Sequence, residues 1–109
     1  MAEPTSVTML SPEDVLKRRV ENPAVLILDV RNDYEWESHH IPGATLVPMH
    51  EIGDRLAELD PTQETIVICE HGVRSMAVAR YLTYEAGFTK VYNMIGGMAA
   101  WTGPVQAAG

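Results

Sequence analysis

A thiol placed between an apolar strand run and a helical run has the setting of a nucleophile. Cys69 is the single cysteine of this 109-residue chain; it follows Ile66-Val67-Ile68 and precedes Glu70-His71-Gly72-Val73-Arg74-Ser75. A helical pattern then runs from Met76 to Ala86. The first N–H groups of a helix lack intrahelical partners, and the helix dipole adds positive potential at that end. Both favour a thiolate, so the thiol is expected to titrate below the free value of about 8.5. The loop from Cys69 to Arg74 can curl so that successive N–H groups point inward and form an anion-binding nest. Gly72 permits a backbone conformation closed to other residues. Arg74 adds a positive charge, and Ser75 suits the N-cap of the next helix. Glu70, His71 and Val73 complete the loop that a substrate would touch, and His71 can tune its charge near neutral pH. The competing reading is an inert cysteine ending a strand. Glycine, arginine and serine at these spacings favour the reactive one.

The elements that must hold this loop alternate along the chain. Ser11-Pro12-Glu13-Asp14 has a serine N-cap, proline at the first helical position and acids in the first turn, predicting a helix to about Val20. Ala24 to Val30 is a continuous apolar run, as expected for a strand inside a parallel sheet covered on both faces. A short helix is expected over Asn32 to Ser38, a turn at Ile41 to Ala44 and a short strand at Thr45 to Val47. Ile52, Leu56 and Leu59 share one face of a helix that Asp60-Pro61 would end. The helix after Cys69 is broken only by Arg80, Thr83 and Glu85, predicting that it is largely buried, with Gly87 as its C-cap. Lys90 to Asn93 reads as a strand, Gly96-Gly97 as a turn and Met98 to Trp101 as a last helical turn. The result is one α/β domain with a mainly parallel sheet, its core spanning about residues 7–103 and its ends frayed.

Four stretches resemble the rhodanese-like (sulfurtransferase) family, in the right order. Leu28-Asp29-Val30-Arg31 with Glu35 is similar to its first signature, and His40-Ile41-Pro42-Gly43-Ala44 to its turn. Cys69 to Ser75 is similar to its active-site loop, and Ile95-Gly96-Gly97-Met98 with Trp101 to its C-terminal signature. The resemblance spans nearly the whole chain. It implies a mostly parallel five-stranded sheet flanked by helices on both faces. It also implies that the Cys69 thiolate takes a sulfane sulfur from a donor, becoming a persulfide that an acceptor then discharges. The chain departs from the pattern at His39, where the family usually has glycine. It departs again at Glu70 and His71, positions often basic or small in forms that use thiosulfate well. Glu70 places negative charge at the pocket mouth and is expected to weaken capture of that dianion.

Asp29, Arg31 and Glu35 are expected to form a salt-bridged scaffold beneath the loop, and His40 to anchor the turn by hydrogen bonds. His39 and His50 read as surface residues, Trp36 and Trp101 as packing residues with Trp101 at the pocket rim, and the methionines as core filler. The histidines and the cysteine show no metal-ligand spacing. Neither a metal nor another cofactor is expected.

Composition sets the outer bounds. A 12.0 kDa chain, 46% hydrophobic and 21% charged, is large enough for one core. A formal charge of −7 disfavours nucleic acid and anionic membranes as partners. A lone thiol suits a reducing compartment, and Met1 to Ser6 shows no leader pattern, so the cytoplasm is the expected location and a monomer the expected state. The partners expected are a small anionic or persulfide donor and a thiol or protein acceptor. Two alternatives stand beside an enzyme of this kind. One is a non-enzymatic sulfur-relay or protein-binding module. The other is a phosphatase or arsenate reductase of related fold, whose loop is one residue longer and so accommodates a tetrahedral oxyanion.

Overall fold

Two runs with almost no polar residues must be covered from both sides, and they lie side by side at the centre of the sheet. The computed structural model describes residues 7–107. In it these runs form β2 (Leu26–Asp29) and β4 (Thr65–Ile68), paired in parallel with Leu26 opposite Thr65 and Asp29 opposite Ile68. With β1 (Thr8–Leu10), β3 (Thr45–Leu46) and β5 (Val91–Met94) they make a five-stranded sheet, all parallel, in the order β1-β5-β4-β2-β3. All four residues of β4 are buried.

Alternate residues of the inner strands face opposite sides, which is why both sides need a cover. Leu28, Val30, Val67 and Cys69 join one core cluster with Ile52 and with Val78, Ala79 and Leu82 of α3 (Val73–Tyr84). Ile27, Ile66 and Ile68 join the other with Val15 of α1 (Pro12–Glu21), Met98 of α4 (Gly97–Ala100) and Trp101. A remaining helix, α2 (Asp33–Ser38), follows β2. Ser11 caps α1 as its sequence requires, its Oγ accepting from the Asp14 N–H at 3.1 Å. Because the strands are parallel, the segments leaving β2, β4 and β5 emerge at one edge of the sheet, where open α/β folds place ligands.

Several elements differ from the sequence reading. The helix expected through Ile52, Leu56 and Leu59 is two 3-10 turns, Met49–Glu51 and Leu56–Glu58. Gly53 falls between them, and an interior glycine costs about 1 kcal/mol of helix propensity. The apolar face survives nonetheless: Ile52 is buried, and Leu56 and Leu59 pack against the same core. Strand β1 was invisible because three residues with one buried side chain carry no periodicity. Helix α3 starts at Val73 rather than Met76 and buries only one face; Val73, Ala77, Tyr81 and Tyr84 are exposed, whereas Thr83 is buried. Met9 and Met49 are exposed, so not every methionine fills the core. Beyond residue 103 the chain is docked, with Gln106 and His40 exchanging backbone hydrogen bonds at 2.8 and 2.9 Å. The fraying expected for residues 1–6 and 108–109 lies outside the described residues.

Candidate active site

Cys69 is the first residue past β4, and its side chain is 1% exposed. The loop turns back over it because Gly72 takes φ +91°, a left-handed conformation that side chains disfavour. A side chain would also be crowded, since a Cβ at Gly72 would stand 3.3 Å from the Gly96 nitrogen and the Met94 carbonyl oxygen. This turn makes Gly72, not Ser75, the N-cap of α3. Ser75 becomes the third residue of the helix, fully buried, and its side chain serves the thiol rather than the helix end.

Three donors and acceptors from this short segment meet at Cys69 Sγ. The Gly72 N–H donates to it at 3.1 Å and the Ser75 N–H at 3.3 Å, while the thiol lies 3.3 Å from Ser75 Oγ. Burial pushes the thiol pKa up. The Ser75 hydroxyl and the amides of Ser75, His71 and Gly72 outweigh it, holding the thiol below its ordinary value. The site therefore stabilises a sulfur anion with dipoles already in place.

Around this cradle both arginines are engaged. Arg74 forms a two-pronged pair with Glu35, Nη1 to Oε1 at 2.8 Å and Nη2 to Oε2 at 2.9 Å. Arg31 is fully buried against Asp29, with contacts of 2.9 to 3.2 Å. Its Nη2 also donates to the His39 carbonyl at 2.7 Å and its Nη1 to Glu70 Oε1 at 3.3 Å. The expected scaffold is thus split: Asp29 holds Arg31, whereas Glu35 crosses to the loop and holds Arg74. Glu70 sits at the loop start as a half-buried carboxylate tied to Arg31. His71 and Val73 are exposed on the loop's outer side.

His40 is buried and fastened at both ring nitrogens, Nδ1 to the Trp36 carbonyl at 2.8 Å and Nε2 to the Gln106 amide at 3.1 Å. Its ring stacks on Trp36 with centroids 3.7 Å apart. His39 is half-buried and exposed His50 lies 3.4 Å from Glu51. Trp101 belongs to the core cluster beside Val15, with Nε1 donating to the Pro104 carbonyl at 3.0 Å, rather than to a pocket rim.

Two positions show their part in the site only in three dimensions. Gly97 opens α4 against the loop: the Met98 N–H donates to the Cys69 carbonyl at 2.8 Å and the Ala99 N–H to the Glu70 carbonyl at 2.9 Å. Asn93, fully buried in β5, accepts from the Ser75 hydroxyl at 2.5 Å and donates to the Gly72 carbonyl at 3.2 Å. In the sequence Asn93 looked like an ordinary strand residue. A buried amide in an apolar strand, opposite Val67 and so two residues short of Cys69, is the signal that marks it.

The Glu35–Arg74 pair has a consequence for stability. Arg74 holds the Glu35 carboxyl at about 2, helped by the Asn32 N–H and opposed by burial. A carboxyl depressed in the folded state contributes stability above its unfolded value that is lost as pH falls towards the folded value. Urea unfolding should therefore show a loss of stability between about pH 5 and pH 2, with Glu35→Gln less stable at neutral pH but less steep in acid. Equal slopes for parent and variant would remove this pair as the source.

A family model, the rhodanese-like domain, matches residues 11–104. Over 92 residues the chain is 35% identical to a thiosulfate sulfurtransferase, GlpE, of Pseudomonas entomophila, covering 84% of this chain and 82% of that one. It is 39% identical over 94 residues to a Bacillus subtilis protein provisionally named as the sulfur carrier protein YrkF, covering 85% of this chain and 50% of the relative, so it spans about half of that protein's length. Its structure superposes on a rhodanese-like domain protein of Staphylococcus aureus with a TM-score of 0.84 and 32% identity, covering 94% of this chain and 100% of the other. The sheet, the cradled cysteine and these likenesses agree: the chain belongs to the rhodanese-like family.

Proposed function

We propose that the chain is a sulfurtransferase that carries sulfane sulfur from thiosulfate or a persulfide to a thiophilic acceptor on Cys69. The observation that carries this reading is the buried Cys69 Sγ receiving two backbone N–H groups inside a strand–loop–helix turn. The thiolate attacks the sulfane sulfur of the donor. A bond forms between the two sulfurs, the donor's own S–S bond breaks, and sulfite or a thiolate leaves with the electron pair. An acceptor thiolate then attacks the outer sulfur, the bond to Sγ breaks, and the Cys69 thiolate is restored. Two easy displacements replace one difficult transfer. The chain has no second cysteine to close a disulfide on the persulfide, so the sulfur leaves to another molecule.

The first-turn amides of α3 that are not aimed at Sγ, those of Val73 and Arg74, have no preceding helical carbonyl to bind, and they suit the negative charge on the outer sulfur. An oxyanion-cleaving site of related fold has a loop one residue longer, and the six residues from Cys69 to Arg74 leave less room for a tetrahedral oxyanion. Comparing turnover of thiosulfate with turnover of a phosphate ester tests the assignment. Thiosulfate-dependent sulfur transfer without ester cleavage is the expected result, and ester cleavage alone would reverse the reading. A relay role with a protein acceptor is the second reading, favoured by the sulfur carrier name of the relative that this chain half covers.

Charge at the loop bears on the donor. Carboxylates at Asp29, Glu35 and Glu70 face guanidiniums at Arg31 and Arg74, leaving one negative charge in excess before the thiolate is counted. Glu70→Gln keeps an oxygen for Arg31 and removes that excess, so the KM for thiosulfate should fall several-fold with kcat little changed, and Glu70→Lys should lower it further. The parent's KM should also fall as salt rises from low ionic strength, whereas that of the lysine variant should not. Unchanged KM values in both variants would mean that the Glu70 charge does not reach the donor.

A further inference from the structure

Cys69, Ser75, Asn93 and Gly72 form a closed ring of hydrogen bonds. The Gly72 N–H reaches Sγ at 3.1 Å, Sγ lies 3.3 Å from Ser75 Oγ, Ser75 Oγ lies 2.5 Å from Asn93 Oδ1, and Asn93 Nδ2 returns to the Gly72 carbonyl at 3.2 Å. Only Asn93 comes from outside the loop and α3; the others lie within four residues of one another or on Cys69 itself.

The Ser75 hydroxyl has one proton and two neighbours that can take it. While Cys69 is a thiol, S–H points to Ser75 Oγ and the hydroxyl proton goes to Asn93. Once Cys69 is a thiolate, an oxygen lone pair facing it at 3.3 Å is repulsive, and the hydroxyl must rotate its proton onto the sulfur. That rotation gives up the 2.5 Å bond to Asn93. We propose that Asn93 is a positioning residue for the nucleophile: it competes with Cys69 for the Ser75 proton and so sets how readily the thiolate forms. In the persulfide Sγ is divalent and uncharged, so the proton returns to Asn93. The hydroxyl therefore swings twice in each cycle. This proposal rests on Cys69 being the nucleophile, though its test needs no sulfur donor.

Alkylation of Cys69 by iodoacetamide, followed against pH, reads the thiolate directly. Asn93→Leu, close in size and without an acceptor, leaves the Ser75 proton nowhere to go but the sulfur. Below the titration midpoint its alkylation should be roughly fivefold faster than the parent's. Ser75→Ala should slow alkylation, and adding Asn93→Leu to Ser75→Ala should change nothing further. A merely structural Asn93 would give the opposite result: a loosened loop, slower alkylation, and the same loss with or without the Ser75 hydroxyl. Either slower alkylation in Asn93→Leu or an equal effect in both backgrounds overturns the proposal. The charged groups around the loop, Arg31 with Glu70, Arg74 with Glu35, and His71, are the same in all four chains and cancel in the comparison.

The parent chain supplies a second test that does not depend on a variant folding. A hydroxyl held at 2.5 Å in the interior should give a slowly exchanging proton resonance in NMR, and that resonance should shift with the Cys69 titration. A Ser75 resonance that stays fixed across the titration means that the proton does not move, and the proposal fails. Should alkylation follow this pattern while no donor loads sulfur on Cys69, the positioning role stands and the sulfurtransferase reading falls. Should sulfur load normally without the pattern, the reverse holds.

Discussion

Cys69→Ser is expected to abolish sulfur transfer while leaving the fold almost unchanged. Serine is close in size to cysteine, and its hydroxyl can still receive the Gly72 and Ser75 N–H groups that now reach Sγ. Stability should therefore move by no more than about 1 kcal/mol. The hydroxyl does not ionise near neutral pH, and an O–S intermediate is a poor substitute for a persulfide. Turnover should fall on the order of a thousandfold or more, as when other covalent nucleophiles are removed. Steady-state assay with thiosulfate and a small thiol, beside urea unfolding, checks both halves. Turnover near the parent's would remove Cys69 from the nucleophile's role.

Gly97→Ala should have the largest structural effect of any single methyl added near the site. Gly97 lies at φ +62°, where a side chain is already strained. An added Cβ would overlap the Cys69 carbonyl oxygen and stand 2.5 Å from the carbonyl of Glu70. These are backbone atoms that cannot rotate away, and they are the same carbonyls that the Met98 and Ala99 N–H groups hold at 2.8 and 2.9 Å. Separating α4 from the loop breaks both bonds and shifts Cys69. A loss of roughly 2–4 kcal/mol in urea unfolding is expected, with slower alkylation of the thiol. A variant as stable and as reactive as the parent would show that α4 does not hold the loop.

The chemistry of this chain was legible where it is local. Strand, thiol, glycine turn and helix are contiguous in sequence, so the cradle around Cys69 could be read from Ile66 to Met76. The central strands were equally clear, because burial on both faces leaves β2 and β4 with almost no polar residues. What was hidden depends on contacts between distant segments. Glu35 was expected beneath the loop with Arg31 but pairs with Arg74, 39 residues away, because α2 brings it to the loop. Ser75 was expected to cap a helix, yet the left-handed turn at Gly72 starts that helix three residues earlier and turns the serine inward. Asn93 carried no signal in one dimension, since its partners lie 18 and 21 residues before it. Strand β1 was missed, and the two 3-10 turns were read as one helix, for a different reason. Elements of three residues take their form from the neighbours they pack on, not from a pattern of their own.

The central claim is that Cys69 carries the sulfur, and intact mass spectrometry tests it most directly. Purified chain is incubated with thiosulfate, or separately with a small-molecule persulfide, desalted without reductant and weighed before and after addition of a thiol. The account predicts a gain of one sulfur atom, mapped to Cys69 by peptide analysis, absent in Cys69→Ser and discharged by the thiol. A chain that stays at its original mass with both donors, while its thiol remains free to alkylate, would contradict it.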